Sequence, residues 1–81
     1  MIHPEDAADF LLDYTARMHG ANIRDDLAGI AERLRSMGFG GYAPAHRAND
    51  LQLLTDQAAT EQDPAVVSRL NEVAGLIRER V

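Results

Sequence analysis

Three aspartates share one edge of the first predicted helix. Asp6, Asp9 and Asp13 are spaced three and four residues apart, and Arg17 follows at the same spacing. Because an α-helix turns once every 3.6 residues, these side chains lie along one edge, beside the apolar stripe of the helix. Such an edge suits a basic protein partner or a divalent cation, although charge runs most often form an ordinary solvated face. We therefore consider this acidic strip a candidate binding surface.

The residue types needed for catalysis are mostly absent. The chain has no cysteine and no lysine, so thiolate nucleophiles, Schiff bases and Cys-based zinc sites are excluded. The histidines have neither the HExxH spacing nor a Glu-x-x-His pair of the kind that holds a di-iron centre. Ser36 and Ser68 lie in predicted helix interiors without a paired histidine. We predict no catalytic residue, no metal site and no cofactor, and we do not expect an enzyme.

A glycine-rich loop between residues 38 and 47 carries the most distinctive composition. It holds three of the six glycines together with Phe39, Tyr42 and Arg47. It lacks GxGxxG and GxxxxGK[ST], the patterns that bind dinucleotides and phosphates. One interpretation is a flexible joint whose aromatic residues cover the core. The other is a recognition loop, because aromatic residues and arginine are enriched at binding hot spots.

Two apolar stripes with helical spacing predict the elements that position these residues. One consists of Ile23, Leu27, Ile30, Leu34 and Met37, and the other of Val67, Leu70, Ala74, Ile77 and Val81. A third, shorter stripe includes Ala7, Phe10, Leu11, Tyr14 and Met18. Nothing alternates as a strand would. The sequence predicts an all-α fold, a small bundle of about four amphipathic helices in a single domain spanning residues 1–81.

Local signals set the predicted ends of these helices, at about residues 4–19, 22–37, 44 or 49 to 60, and 63–80. Asn22 is the expected N-cap of the second helix, and Gly38 is expected to end it. Asp63-Pro64 is a specific start signal for the last helix. The third helix begins either at Pro44 or after a cap at Asn49, and the sequence leaves both starts open.

Three leucines fall outside the apolar stripes, and they are Leu12, Leu53 and Leu76. If they cluster in space, they form a second apolar face, which is typical of an interface between copies of the chain. Gly29 and Gly75 lie in the middle of helices, where glycine costs about 1 kcal/mol relative to alanine. Close approach of another backbone would account for them, and so would drift under weak selection.

Charge narrows the choice of partner. Thirteen acidic residues oppose eight basic ones, giving a net charge of -5, which is also an ordinary value for solubility. A negative field disfavours nucleic acid and anionic membranes and favours basic protein surfaces. The start of the chain lacks a signal peptide pattern, and no apolar run is long enough to span a membrane, so we expect a cytoplasmic protein.

Our first hypothesis is a small acidic module that binds and restrains a partner protein, as inhibitors, antitoxins, immunity proteins and phage anti-defence proteins do. The residues expected to contact the partner are Asp6, Asp9, Asp13, Asp25, Asp26, Phe39, Tyr42 and Arg47. The alternative is a structural subunit that forms homo-oligomers, or joins a larger complex, through the three leucines. A helix-turn-helix-like nucleic-acid binder is a third hypothesis, but the chain lacks the clustered basic face that such proteins need.

Overall fold

A computed structural model describes residues 2–81, and its regular secondary structure is entirely helical. The α-helices are α1 Pro4–Thr15, α2 Ala21–Ser36, α3 Arg47–Thr60 and α4 Pro64–Arg80. Short 3₁₀ turns cover Met37–Phe39 and Pro44–His46. This confirms the all-α class with four helices. Two compact units divide the chain, one formed by His3–Tyr42 and the other by Ala43–Val81 together with Ile2.

The first unit is a pair of helices, α1 and α2, joined by residues 16–20. So short a connection makes neighbouring helices antiparallel. The α1 face is buried through Ala7, Ala8, Leu11 and Thr15, and the α2 face through Leu27, Ile30, Ala31 and Leu34. Phe10 and Tyr14, which were predicted in the buried stripe, are only half-buried and stack on each other with ring centroids 5.9 Å apart.

The connection between α1 and α2 differs from its prediction. α1 ends at Thr15 and not near residue 19, because the chain leaves the helix through tighter turns. There the Thr15 hydroxyl donates to the Leu12 carbonyl at 2.9 Å, and the Met18 N–H donates to the Thr15 carbonyl at 3.0 Å. Gly20 is the N-cap of α2, which begins at Ala21, so the prediction of Asn22 as the cap is wrong.

The second unit is the pair α3 and α4. α4 supplies most of its core through Leu70, Val73, Ala74, Leu76 and Ile77, and α3 adds Leu54 and the fully buried Asp50. The 3₁₀ turn that begins at Pro44 leads directly into α3 at Arg47. The helical segment therefore begins at Pro44 as a 3₁₀ turn and becomes α-helical at Arg47, and the capping box at Asn49 is not formed because Asn49 lies inside the helix.

Both ends of α4 receive side-chain hydrogen bonds. The Asp63 carboxylate accepts the Ala65 N–H at 2.9 Å, and Pro64 occupies the first turn, which confirms the predicted start signal. At the other end, the Arg47 guanidinium donates to the Arg78 carbonyl at 3.3 Å. That carbonyl is one of the last four of the helix, which have no partner within it. Arg47 thus ties the start of α3 to the end of α4.

The cap at Asp63 gives a test of this local structure. We expect Asp63→Ala to lower the free energy of unfolding by about 1 kcal/mol, because the Ala65 N–H loses its acceptor. Asp63→Ser should retain most of the stability. Asp25→Ala removes the same charge from an exposed position inside α2 and serves as the control in urea denaturation. Equal losses for Asp63→Ala and Asp25→Ala would contradict a role for the cap.

Candidate functional site

The segment after α2 closes in a Schellman motif. The Gly41 N–H donates to the Ser36 carbonyl at 2.9 Å, and the Gly40 N–H donates to the Met37 carbonyl at 3.1 Å. Gly40 has a φ of 72°, the left-handed conformation that this motif requires. α2 thus ends at Ser36, close to its predicted end at residue 37, but the glycine that reverses the chain is Gly40 and not the predicted Gly38.

Close packing fixes the position of the next two residues. A Cβ added to Gly41 would lie 2.5 Å from the Ser36 Cβ, so only glycine fits there without a shift. Tyr42 then packs into the helical pair and is only 6% exposed. Its ring lies 6.0 Å below the Arg33 guanidinium, within the range of a cation–π contact. Tyr42 thus anchors the turn, and its ring has little surface to offer a partner in this conformation.

Phe39 has the opposite environment. Its side chain is 92% exposed, the most exposed large apolar residue of the described chain. It lies between Gly38 and Gly40, in a turn held by two backbone hydrogen bonds and by the burial of Tyr42. Of the two aromatic residues predicted as anchors, the structure exposes Phe39 and buries Tyr42. The turn therefore presents one aromatic ring to solvent on a defined backbone.

The acidic strip lies on the exposed side of α1, where Asp6, Asp9 and Asp13 all face solvent. The Asp9 carboxylate accepts from the Arg35 guanidinium at 2.6 Å, and no ion pair within residues 2–81 involves Asp6 or Asp13. Because Arg35 lies in the last turn of α2, this contact places Asp9 at the end of the helical pair from which the Phe39 turn projects. In the antiparallel pair, Asp6 lies one turn closer to that same end.

The other predicted contact residues are more scattered. Asp25 and Asp26 are exposed but lie near the start of α2, about 15 Å along the helix from its end at Ser36. Arg47 belongs to the second unit and donates to the Arg78 carbonyl. The residues that share one end of the first unit are therefore Asp6, Asp9 and Phe39.

The three leucines do not share one environment. Leu12 is 38% exposed on α1, beside the acidic strip, and Leu53 is half-buried on α3. Leu76 is 1% exposed, so the expectation that it lies outside the core is wrong. α4 buries a broader face than its five-residue stripe, because Val73 and Leu76 are buried along with the stripe residues Leu70 and Ile77.

Sequence reasoning missed the buried carboxylate of Asp50. This residue lies in the first turn of α3, where the positive end of the helix dipole favours an anion. It is fully buried, and every buried side-chain nitrogen or oxygen within residues 2–81 has a hydrogen-bond partner. An aspartate next to a candidate cap resembles a surface residue, so no sequence signal identified it. Its burial gives it a structural role in the second unit.

Neither the arrangement of metal-ligating side chains nor comparison with known proteins indicates a specific chemical activity. Within the part of the chain that the structure describes, no group of three histidine or acidic side chains is arranged to hold a metal ion. None of the helices in residues 2–81 is long and apolar enough to cross a membrane. Comparison of the chain with protein-family models, curated proteins and solved structures found no match. The Phe39 turn with its neighbouring carboxylates is the candidate site.

The glycines of the turn provide a graded test of its geometry. We expect Gly40→Ala to destabilise the protein by about 1 kcal/mol, because alanine is strained at a positive φ. Gly41→Ala should cost about 2 kcal/mol, since its Cβ would collide with Ser36. Gly38→Ala meets nothing within 4 Å and is the control, expected within about 0.5 kcal/mol of wild type in urea denaturation. A loss at Gly38 equal to that at Gly40 would contradict the assignment of the motif.

Proposed function

We propose that this chain is a small acidic binding module that inserts Phe39 into a pocket of a basic partner protein and thereby restrains it. The observation that carries the proposal is the 92% exposure of Phe39 on a turn whose backbone is fixed. An exposed phenylalanine contributes almost nothing to folding, since its apolar surface stays in water. The same ring gains that free energy when a partner covers it.

Rigidity is what makes Phe39 suited to this role. A flexible loop loses conformational entropy when it binds, and a preorganised turn has already lost it on folding. Two hydrogen bonds, the left-handed Gly40 and the buried Tyr42 hold the turn before any partner arrives. Buried aromatic anchors that fill pockets of a partner carry much of the binding energy of an interface.

Charge supports a partner with a basic surface. Asp6 and Asp9 lie at the Phe39 end of the first unit, and Asp6 has no ion pair within residues 2–81. The pair between Asp9 and Arg35 is exposed, with side-chain accessibilities of 63% and 46%, so it is worth little and a partner's cation can replace it. Acidic groups beside an aromatic anchor would steer a basic surface onto it.

The module would restrain its partner by occupying one of the partner's binding pockets. A module that fills a pocket of its partner keeps the natural ligand of that pocket out, whichever inhibitor class it belongs to. Antitoxins, immunity proteins, anti-activators and phage anti-defence proteins share this logic, and we propose that the chain acts in this way in the cytoplasm. The alternative is an assembly subunit, but the burial of Leu76 removes one of the three residues from its exposed apolar face.

The first test is capture of the partner with the tagged protein, comparing wild type with Phe39→Ala. We expect one basic protein to be retained by wild type and lost with Phe39→Ala, and its activity to be inhibited by wild type only. Because Phe39 is exposed, the variant should unfold within about 0.5 kcal/mol of wild type. Tyr42→Ala is unsuitable as a test, since it would remove a buried anchor.

Phe39→Tyr keeps the ring and should keep most of the affinity, so it serves as the matched control. Equal retention of the partner by wild type and Phe39→Ala would contradict the proposal. Recovery of the chain alone, at an oligomeric mass in light scattering, would favour the assembly subunit.

The acidic strip makes a separate, kinetic prediction. Replacing Asp6, Asp9 and Asp13 by asparagine should slow association with the captured partner by about tenfold at low salt and flatten its salt dependence. The double variant Asp25→Asn, Asp26→Asn is the control, because its charges lie more than a Debye length of about 8 Å from the Phe39 end. Stopped-flow measurement of the association rate checks this. An unchanged rate in the triple variant would remove the strip from the binding surface.

A further inference from the structure

The second unit contains an open groove beside α4. Its volume is about 220 Å³, and its lining residues are Ile2, Glu72, Gly75, Leu76 and Glu79. Ile2 and Leu76 are buried and supply an apolar floor, whereas Glu72 and Glu79 are exposed. An apolar cavity of roughly 150 Å³ accommodates benzene, so this groove has room for one large apolar side chain.

The four α4 residues of the groove form one face of the helix. Glu72, Gly75, Leu76 and Glu79 are spaced at i, i+3, i+4 and i+7, which brings them onto the same side over two turns. The two glutamates are then about 10 Å apart along the axis, one on each side of the glycine. Glu72 has an exposed contact with Arg69 at 3.4 Å, and no ion pair within residues 2–81 involves Glu79.

Gly75 keeps the groove open. A Cβ added there would meet no atom within 4 Å, so no neighbouring backbone or side chain requires a glycine. Alanine at this position would favour the helix by about 1 kcal/mol. The glycine therefore costs stability and leaves a notch between two carboxylates that a side chain would fill.

We propose that this groove binds a helical segment of a partner protein that has an apolar residue between two arginines or lysines. The apolar side chain enters the notch over Gly75, and the two cations contact Glu72 and Glu79. A helix with its basic residues four positions before and three positions after the apolar residue matches the separation of about 10 Å between the glutamates. The proposal concerns a different unit from the Phe39 turn and does not depend on the proposed function.

Charge argues against a second copy of this chain as the occupant. The exposed Phe39 of another copy would bring Asp6 and Asp9 of its own unit toward Glu72 and Glu79. Like charges brought together at an interface oppose association, and each copy already has a net charge of -5. A basic segment instead gains from the same two carboxylates.

The test uses a fluorescein-labelled helical peptide of about 15 residues, long enough to form a helix, with one leucine between two arginines at this spacing. In fluorescence polarisation, wild type should bind it, and Gly75→Leu should bind about tenfold more weakly or worse because its side chain fills the notch. Glu72→Gln with Glu79→Gln should weaken binding and flatten its salt dependence. The control for charge is Glu5→Gln with Glu32→Gln, both exposed in the first unit.

The same variants distinguish an effect on peptide binding from an effect on folding stability. Gly75→Leu should unfold in urea at or above the wild-type midpoint, since it replaces a helical glycine that has open space around it. Gly29→Ala, which replaces a glycine in the middle of α2, should keep wild-type affinity for the peptide. Phe39→Ala should also keep it, which distinguishes this site from the Phe39 turn.

Four results would overturn the proposal, three from peptide binding and one from light scattering. The first is failure of wild type to bind the peptide at millimolar concentration, and the second is equal binding by Gly75→Leu. The third is equal binding of a control peptide in which the leucine is alanine, because attraction would then be charge alone. A wild-type dimer in light scattering that Gly75→Leu dissociates would also overturn it, in favour of a second copy in the groove.

Discussion

Burial of one apolar face per helix, within a pair of neighbouring helices, is the constraint on which the rest of this structure depends. An amphipathic helix cannot stand alone in water at this length, and each helix here gains its stability from the helix joined to it by a short connection. The small side chains of Ala7, Ala8 and Ala31 are buried in the first pair, and the larger buried side chains of α4 are Leu70, Val73, Leu76 and Ile77. The outward faces are then free to carry charge, a protruding ring and a groove.

The fold could be predicted where a helix end is determined by adjacent residues in the sequence. Asp63-Pro64 combines a side-chain acceptor with a proline that lacks an N–H, so the start of α4 is determined by adjacent residues. The end of α1 is not determined in this way, because a glycine between two helices can end the first helix or cap the start of the second. The first helix is predicted to reach about residue 19, whereas the structure ends it at Thr15 and uses Gly20 as the cap of α2. The result depends on packing between the helices, which spacing alone does not reveal.

The candidate site likewise has features that the sequence predicts and features that depend on the three-dimensional structure. Phe39 and Tyr42 are two aromatic residues in one glycine-rich loop, and their composition gives no reason to separate them. The left-handed Gly40 reverses the chain after Phe39, and Gly41 lets it pass close to Ser36, which brings Tyr42 back under Arg33. One ring is exposed and the other buried because of backbone geometry. Likewise, Leu76 is buried, and Ile2 from the other end of the chain lines the same groove, an arrangement that helical periodicity does not reveal.

The two exposed features have complementary shapes and the same charge. Phe39 protrudes at the end of the first unit where Asp6 and Asp9 also lie, whereas the groove recedes between Glu72 and Glu79. A protrusion and a groove on one chain would ordinarily favour self-association, since each fits the other in a second copy. Here carboxylates lie at both features, so that contact would bring acidic groups of the two copies together, and each copy has a net charge of -5. In both proposals the same carboxylates would attract a basic protein, and they would oppose nucleic acid, whose phosphates carry the same sign. Under both proposals, charge would therefore direct these apolar features away from copies of this chain and toward a cationic protein partner.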